Sequence, residues 1–187
     1  VDLGLSVKWA TYNIGASKPE EYGDYFAWGE TEPKDTYDWS TYKWCNGSYN
    51  TQTKYNTISS YGTVDNKTTL EPEDDAARTN WGGSWRMPTD KEWTELRTEC
   101  TWTWTTQNGE NGRKVTGPNG NSIFLPAAGC RYRSSLLYVG SYGYYWSSSL
   151  TTENPNDAWY MDFNSDNVLR NYYVIRYFGQ PVRPVCD

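Results

Sequence analysis

The chain has no histidine. That removes at once the commonest general base and the commonest side-chain ligand of transition metals. Its four cysteines, Cys45, Cys100, Cys130 and Cys186, are scattered and form no Cys-x-x-Cys pair, which disfavours a zinc knuckle or a thioredoxin-type site. An even count permits disulfides in any of three pairings, and scattered thiols serve equally well as small buried apolar groups. No apolar run approaches the roughly 20 residues of a membrane span, so direct membrane insertion is not expected. There is no basic cluster, and the formal charge is −6. Duplex nucleic acid, whose phosphates need concentrated Lys and Arg, is therefore disfavoured as a partner. Aliphatic bulk is scarce as well, with 2 Met and 4 Phe against 11 Trp and 17 Tyr at a mean hydropathy of −0.88.

A polar chain so short of aliphatics must build its core from rings whose N–H and O–H groups need partners. Tyr and Trp beyond what a core needs are also what binding surfaces enrich. At 187 residues the length fits one domain, read as 1–187, that buries about two thirds of its unfolded surface. A chain starting at Val1 without a methionine reads as a mature or excised fragment, and the lack of a signal peptide says nothing against export.

Ser6 to Ala10 alternates and predicts a first strand. From Gly15 to Lys67 the chain is rich in Gly, Asn, Ser, Thr, Asp and Tyr without a sustained period, yet Tyr22, Tyr25, Phe26, Trp28, Tyr37, Trp39, Tyr42 and Trp44 run through it. Long ordered loops packed by their own rings are expected there. Pro72 followed by Glu73, Asp74 and Asp75 predicts a helix start that Gly82-Gly83 ends. Thr89 and Glu92 form a capping box for a second helix over about 90–99, with Trp93, Leu96 and Cys100 on one face. Thr101 to Thr105, Ser122 to Leu125, Tyr144 to Ser149, Ala158 to Phe163 and Pro181 to Val185 read as strands separated by Asn, Asp, Gly and Pro turns. Two early helices and a late cluster of short strands predict an α+β fold.

Several anchors stand in fixed order: Gly83-Ser84-Trp85-Arg86-Met87-Pro88-Thr89, then Phe124-Leu125-Pro126-Ala127-Ala128-Gly129, Gly143-Tyr144-Tyr145-Trp146-Ser147, and Gly179-Gln180-Pro181-Val182-Arg183. Together with the opening Val1 to Ala10, this set resembles C-type-lectin-like domains of the formylglycine-generating-enzyme branch, as in surface proteins of Bacteroidetes and Fibrobacter. The resemblance implies a C-type lectin fold, with two helices, short antiparallel strands and long ordered loops. It implies core roles for Trp85, Trp93, Trp146 and Trp159, and hydrogen-bonding roles for Arg86 and Arg183. The oxidases of that branch use two copper-binding cysteines close together near the C-terminus. Here Cys130 and Cys186 are far apart in sequence, so the resemblance carries the scaffold without that site.

The last third also resembles the variable proteins of diversity-generating retroelements, whose C-terminal segment is mutated at template adenines. An AAC codon randomised at its adenines cannot give Lys, Glu, Gln, Trp or Met, and none of these occurs from Asp162 to Phe178. The candidate variable region is 130–180. Its expected ligand-binding residues are Tyr132, Leu137, Tyr138, Tyr142, Tyr160, Asp162, Leu169, Arg170, Tyr172, Tyr173, Val174, Ile175 and Phe178. Apolar residues in an aperiodic, turn-rich segment are expected at the surface, where tyrosines add rigid amphipathic contact area. Tyr144, Tyr145 and Tyr177 are expected to pack as satellite core.

A calcium-dependent sugar site is not expected, because Glu153-Asn154-Pro155-Asn156-Asp157 has the wrong order and Trp159 is followed by Tyr160-Met161-Asp162. No catalytic residue, metal or cofactor is assigned, since no spacing of carboxylates picks out a glycosidase pair. The expected function is a non-catalytic, receptor- or adhesin-like domain on the outside of a bacterium. Its partner would be a protein or glycan ligand on a cell or phage surface. The alternatives are a structural module of a larger surface protein, or a divergent formylglycine-type oxidase.

Overall fold

The computed structural model describes residues 1–187, the side chains of 170–173 excepted. About 32% of the chain is strand and 12% helix, which overturns the α+β expectation and the two-helix lectin layout drawn with it. The fold is predominantly β, made of several small antiparallel sheets. The cause is length. The helix signals yield only α1 (Ala76–Trp81) and α2 (Asp90–Glu99), of 6 and 10 residues. The alternating aromatic and β-branched segments after residue 100 yield most of the strands.

The predicted first strand shrinks to β1 (Lys8–Trp9). After α2 come β2 (Thr101–Gln107), β3 (Glu110–Thr116) and β4 (Ser122–Pro126) as a three-stranded meander. A small hairpin follows, β5 (Cys130–Tyr132) with β6 (Ser135–Leu137). Next is the three-stranded sheet β7 (Gly143–Leu150), β8 (Asp157–Phe163) and β9 (Val168–Ile175). Finally β10 (Val185–Cys186) pairs antiparallel with β1, joining the two ends of the chain.

Two segments without a strand signal in the sequence are strands. Leu136 and Leu137 lie in β6, and the aperiodic run after Val168 is β9. The sheet explains why β9 carries no alternation: its register with β8 shifts between Trp159 and Tyr160, and such an irregularity breaks the two-residue period that sequence patterns rely on.

Helix α2 is set by local chemistry. The Thr89 hydroxyl accepts from Glu92 N at 3.2 Å, and Glu92 Oε2 accepts from Thr89 N at 2.7 Å. The same carboxylate takes both Arg86 Nη atoms, at 2.7 and 2.9 Å, which ties the approach segment to the cap. Helix α1 is capped by buried Asp75, which accepts from Ala77 and Arg78 N and reaches Met87 N at 2.8 Å.

The core is aromatic, and its polar tips are bonded to backbone. Trp28 Nε1 donates to Ser147 O, Trp93 Nε1 to Trp146 O and Trp146 Nε1 to Phe26 O, at 2.7–3.2 Å. The hydroxyls of Tyr25, Tyr37 and Tyr42 donate to carbonyls at 2.6 Å each. Through these bonds the strand-poor loops before residue 70 lock onto the sheets. Trp9 Nε1 is buried without a partner. Of the expected core tryptophans, Trp93 and Trp146 are fully buried. Trp85 and Trp159 are only half-buried, and Trp85 packs edge-on against Trp81 at the surface. The four cysteines are free thiols.

Among the described residues, two arginines are fully buried. Arg183 binds Asn13 Oδ1 and the carbonyls of Ala10, Thr11 and Phe124, and burial pushes its pKa down to about 10. Arg176 donates to Tyr42 Oη and to the carbonyls of Lys54, Tyr55 and Pro155, each at 2.9 Å. Its guanidinium also lies 5.2 Å from the ring centroids of both Trp28 and Tyr42.

Removing the Arg176 guanidinium would leave several buried acceptors bare, each costing about 1–3 kcal/mol. Arg176→Met is expected to lower stability by about 3–5 kcal/mol in urea unfolding. Arg133→Met, at an exposed position, should change it by less than about 0.5 kcal/mol.

Asp157, buried in the β7–β8 turn with Asn154 Nδ2 donating to it at 2.7 Å, is pushed up to about 6 by desolvation. A carboxyl raised on folding is protonated in the native state while the unfolded chain ionises. Its contribution to stability therefore falls as pH rises from about 4 to about 6. Asp157→Asn should be more stable than wild type above pH 6, on the order of 1–3 kcal/mol. Urea titrations at pH 4 and 7.5 should show the gap closing toward pH 4.

Candidate functional site

The two faces of the β7–β8–β9 sheet do different jobs. Register places Tyr145 opposite Met161 and Gly143 opposite Phe163. Tyr145, Met161 and Phe163 belong to the first core cluster, with Trp9, Trp93 and Leu125. The opposite face carries Tyr144, Asp162 and Leu169 in one cross-strand row, with Tyr160 two residues before Asp162. Gly143 is required at its position, because a Cβ there would stand 2.1 Å from the Phe163 ring.

The β5–β6 hairpin folds toward that outer face. Gly129, at φ +64°, approaches Leu137 so closely that a Cβ would lie 2.0 Å from the Leu137 carbonyl oxygen. The next turn starts at Tyr138, whose carbonyl accepts from Ser141 and Tyr142 N. Tyr138 has φ 62°, a left-handed conformation that is uncommon for a bulky side chain, and it is 56% exposed. Its ring packs edge-on against Tyr142 and Tyr144, at 5.6 and 6.2 Å between centroids. Tyr142 stacks flat on Tyr144 at 5.7 Å, and Tyr144 meets Tyr160 at 6.0 Å. Tyr160 in turn touches buried Trp146. The result is an unbroken ladder of rings from solvent to core.

A second ring group borders the first. Tyr132 stacks on Phe178 at 5.0 Å, and Phe178 on Tyr177 at 5.3 Å. Between the two groups lies a cleft of about 160 Å³ walled by Tyr138, Tyr144, Tyr160, Val174 and Phe178, with Cys130 and Gln180 completing it. Gln180 is held by reciprocal backbone bonds with Phe26, at 3.0 Å each way. Its side chain is 1% exposed, and Oε1 has no hydrogen-bond partner. Burial raises the hydroxyls of Tyr144 and Tyr160 above the usual phenol range and pushes the Cys130 thiol up to about 11. Among the described residues, the side chains that line the cleft are therefore uncharged at neutral pH, with Asp162 beside Tyr144 and Tyr160.

Of the larger depressions, one of about 220 Å³ lies among Tyr12, Trp81 and Trp85, and others carry charged side chains. One of about 400 Å³ lies among Asp24, Lys34, Asp35 and Arg131. Another of about 310 Å³ lies beside Glu20, Glu21 and Glu110. No group of three or more acidic, Cys or His side chains suited to a metal ion occurs among the described residues.

Of the residues expected to bind, Tyr138, Tyr160, Val174 and Phe178 meet in the cleft. Tyr132, Leu137, Tyr142, Asp162 and Ile175 are half-buried around it, and Ile175 packs on the third core cluster. Leu169 is 41% exposed on the outer face. The side chains of Arg170, Tyr172 and Tyr173 lie outside the described residues. Tyr144, expected as satellite core, is half-buried in the cleft wall, while Tyr145 and Tyr177 are buried. Sequence reasoning missed Gln180 as a site residue. Its place in the Gly179-Gln180-Pro181 anchor marked it as scaffold, and only the fold brings it beside Tyr160.

A family model described only as a domain of unknown function, DUF8237, matches residues 99–185. That span contains the whole aromatic cleft. No curated protein and no solved structure matches the chain.

The left-handed backbone at Tyr138 makes a substitution informative. Glycine adopts such a conformation without strain, and the ring it would remove is mostly in solvent. Tyr138→Gly is expected to leave stability within about 1 kcal/mol of wild type in urea unfolding. A loss of several kcal/mol would instead mark Tyr138 as a core residue.

Proposed function

We propose that this chain is a non-catalytic ligand-binding domain, receptor- or adhesin-like, that works at a bacterial surface through the outer face of the β7–β8–β9 sheet and the β5–β6 turn. The carrying observation is the ring ladder Tyr138–Tyr142–Tyr144–Tyr160, with exposed Val139 next to Tyr138 and exposed Leu169 in the cross-strand row of Tyr144. Clustered exposed apolar side chains on a polar, acidic chain favour an interaction surface over a purely structural module. Tyrosines braced by one another offer contact area at low entropic cost. Tyr160, Val174 and Phe178 pack on the second core cluster, whereas Tyr138, Tyr142 and Leu169 stand outside the core clusters, so substitution at these outer positions leaves the packing beneath in place.

That separation suits the variable-protein reading. A diversified segment must tolerate substitution at ligand-facing positions while its scaffold positions stay fixed. Within 130–180, the positions free to vary are then Tyr138, Tyr142 and Leu169. Tyr145, Trp146, Met161 and Arg176 are fixed by burial.

Sequencing the DNA that flanks the gene tests this. The expected finding is a near-copy of the segment encoding residues 130–185, beside a reverse transcriptase. It should differ at adenine-bearing codons for the outer-face positions and match at Trp146 and Arg176. No such copy would overturn the diversified reading. A copy whose differences fell on the buried positions would overturn the assignment of the face.

A further inference from the structure

We infer that the cleft between Tyr138, Tyr160 and Phe178 receives one neutral aromatic side chain of a protein partner, of the indole or phenol type, whose single hydrogen-bond donor meets Gln180 Oε1. This deepens the ligand-binding reading above and rests on it.

Four features select that chemistry. First, Gln180 Oε1 is a buried acceptor without a donor in a side chain that is 1% exposed. Buried polar groups are nearly always paired, so an unpaired one beside a cavity is a place where an incoming donor gains most. Reciprocal backbone bonds to Phe26 fix the residue, so the acceptor is in place before a ligand arrives.

Second, among the described residues no charged side chain lines the cleft, so an inserted ion would lose its hydration without a direct partner, and Asp162 beside Tyr144 and Tyr160 would repel an anion. Third, the walls are ring faces and one branched aliphatic, which suit a flat ring in stacked or edge-on contact. A sugar ring would bring several hydroxyls to one buried acceptor and leave most of them poorly paired. Fourth, about 160 Å³ holds a single ring, while Tyr138, 56% exposed, forms part of its wall and is followed by exposed Val139. An anchoring pocket surrounded by apolar contacts is how protein interfaces concentrate their binding energy. That arrangement favours a side chain with its neighbours over a free small molecule.

Ligand-observed NMR on the whole domain, with indole, 1-methylindole, methyl β-glucoside and a short tryptophan-containing peptide, tests the inference. Indole should bind saturably and about tenfold more tightly than 1-methylindole, which keeps the ring but lacks the donor. The peptide should bind more tightly than indole, and the glucoside should not bind. In Gln180→Met, similar in size but without the acceptor, indole should fall to the level of 1-methylindole.

Equal binding of the two indoles, or indole binding unchanged in Gln180→Met, would overturn donor recognition. Binding of neither indole, or preference for the glucoside, would overturn the ring pocket. A peptide no tighter than free indole would overturn the protein partner in favour of a small ring compound. The indole comparison uses wild-type protein, so it decides even if Gln180→Met does not fold. A template repeat mapping to the outer face would still stand if no indole bound, which keeps the two failures apart.

Discussion

The structure turns on one buried cation. Arg176 has no accessible surface, and no carboxylate pairs with it among the described residues. A charge in that position is tolerable only where dipoles replace water. Three carbonyls, one phenol oxygen and the faces of Trp28, Tyr42 and Tyr55 do so. The carbonyls come from the loop at 54–55 and from the β7–β8 turn, and the rings come from loops far earlier in the chain. One side chain thus gathers segments that share almost no strand pairing. It also fixes the backbone immediately before Tyr177 and Phe178, the second of which forms part of the cleft wall.

The same logic runs through the rest of the core. A chain with few aliphatics cannot rely on featureless packing, because each indole and phenol brings a polar tip that must be paired. Here the tips reach the carbonyls of other segments, so each ring both fills space and ties a loop. Long stretches without regular secondary structure are held in this way, where a chain of Leu and Val would have needed more strands. A few buried polar atoms depart from this pattern, Trp9 Nε1 and Gln52 Oε1 among them, and of these Gln180 Oε1 belongs to a residue that lines the cleft. Departures from complete pairing are expected where a protein meets something else.

Local signals were legible in the sequence and topological ones were not. The Thr89–Glu92 cap is chemistry between residues three apart, and it stands as the spacing predicts. The ordered character of the early loops was legible from their rings. Fold class was misread because two well-formed helix starts say nothing about how far a helix runs, and α1 spans only 6 residues. Strand β9 was hidden by its register shift with β8. Arg176 was hidden for another reason: it belongs to the residue set that adenine mutation can reach, and that argument is blind to burial. Gln180 and Cys130 lie 50 positions apart and join the cleft only through the pairing of Arg131 with Gly179.

The ring ladder also limits how a binding face on this scaffold could change. Tyr138 leans on Tyr142 and Tyr144, and Tyr144 on Tyr160. Residues in contact do not contribute independently, so replacing one ring alters the support of the next. Leu169, across the row from Asp162 and Tyr144, stands outside that ladder of rings. Substitution at Leu169 should therefore act nearly alone, whereas new shapes at the cleft mouth would have to arise from several tyrosine positions together. Simultaneous randomisation of a segment explores such combinations, and stepwise mutation does so poorly. On the proposed reading, the mutual bracing of the tyrosines makes segment-wide diversification the effective way to change what this face binds.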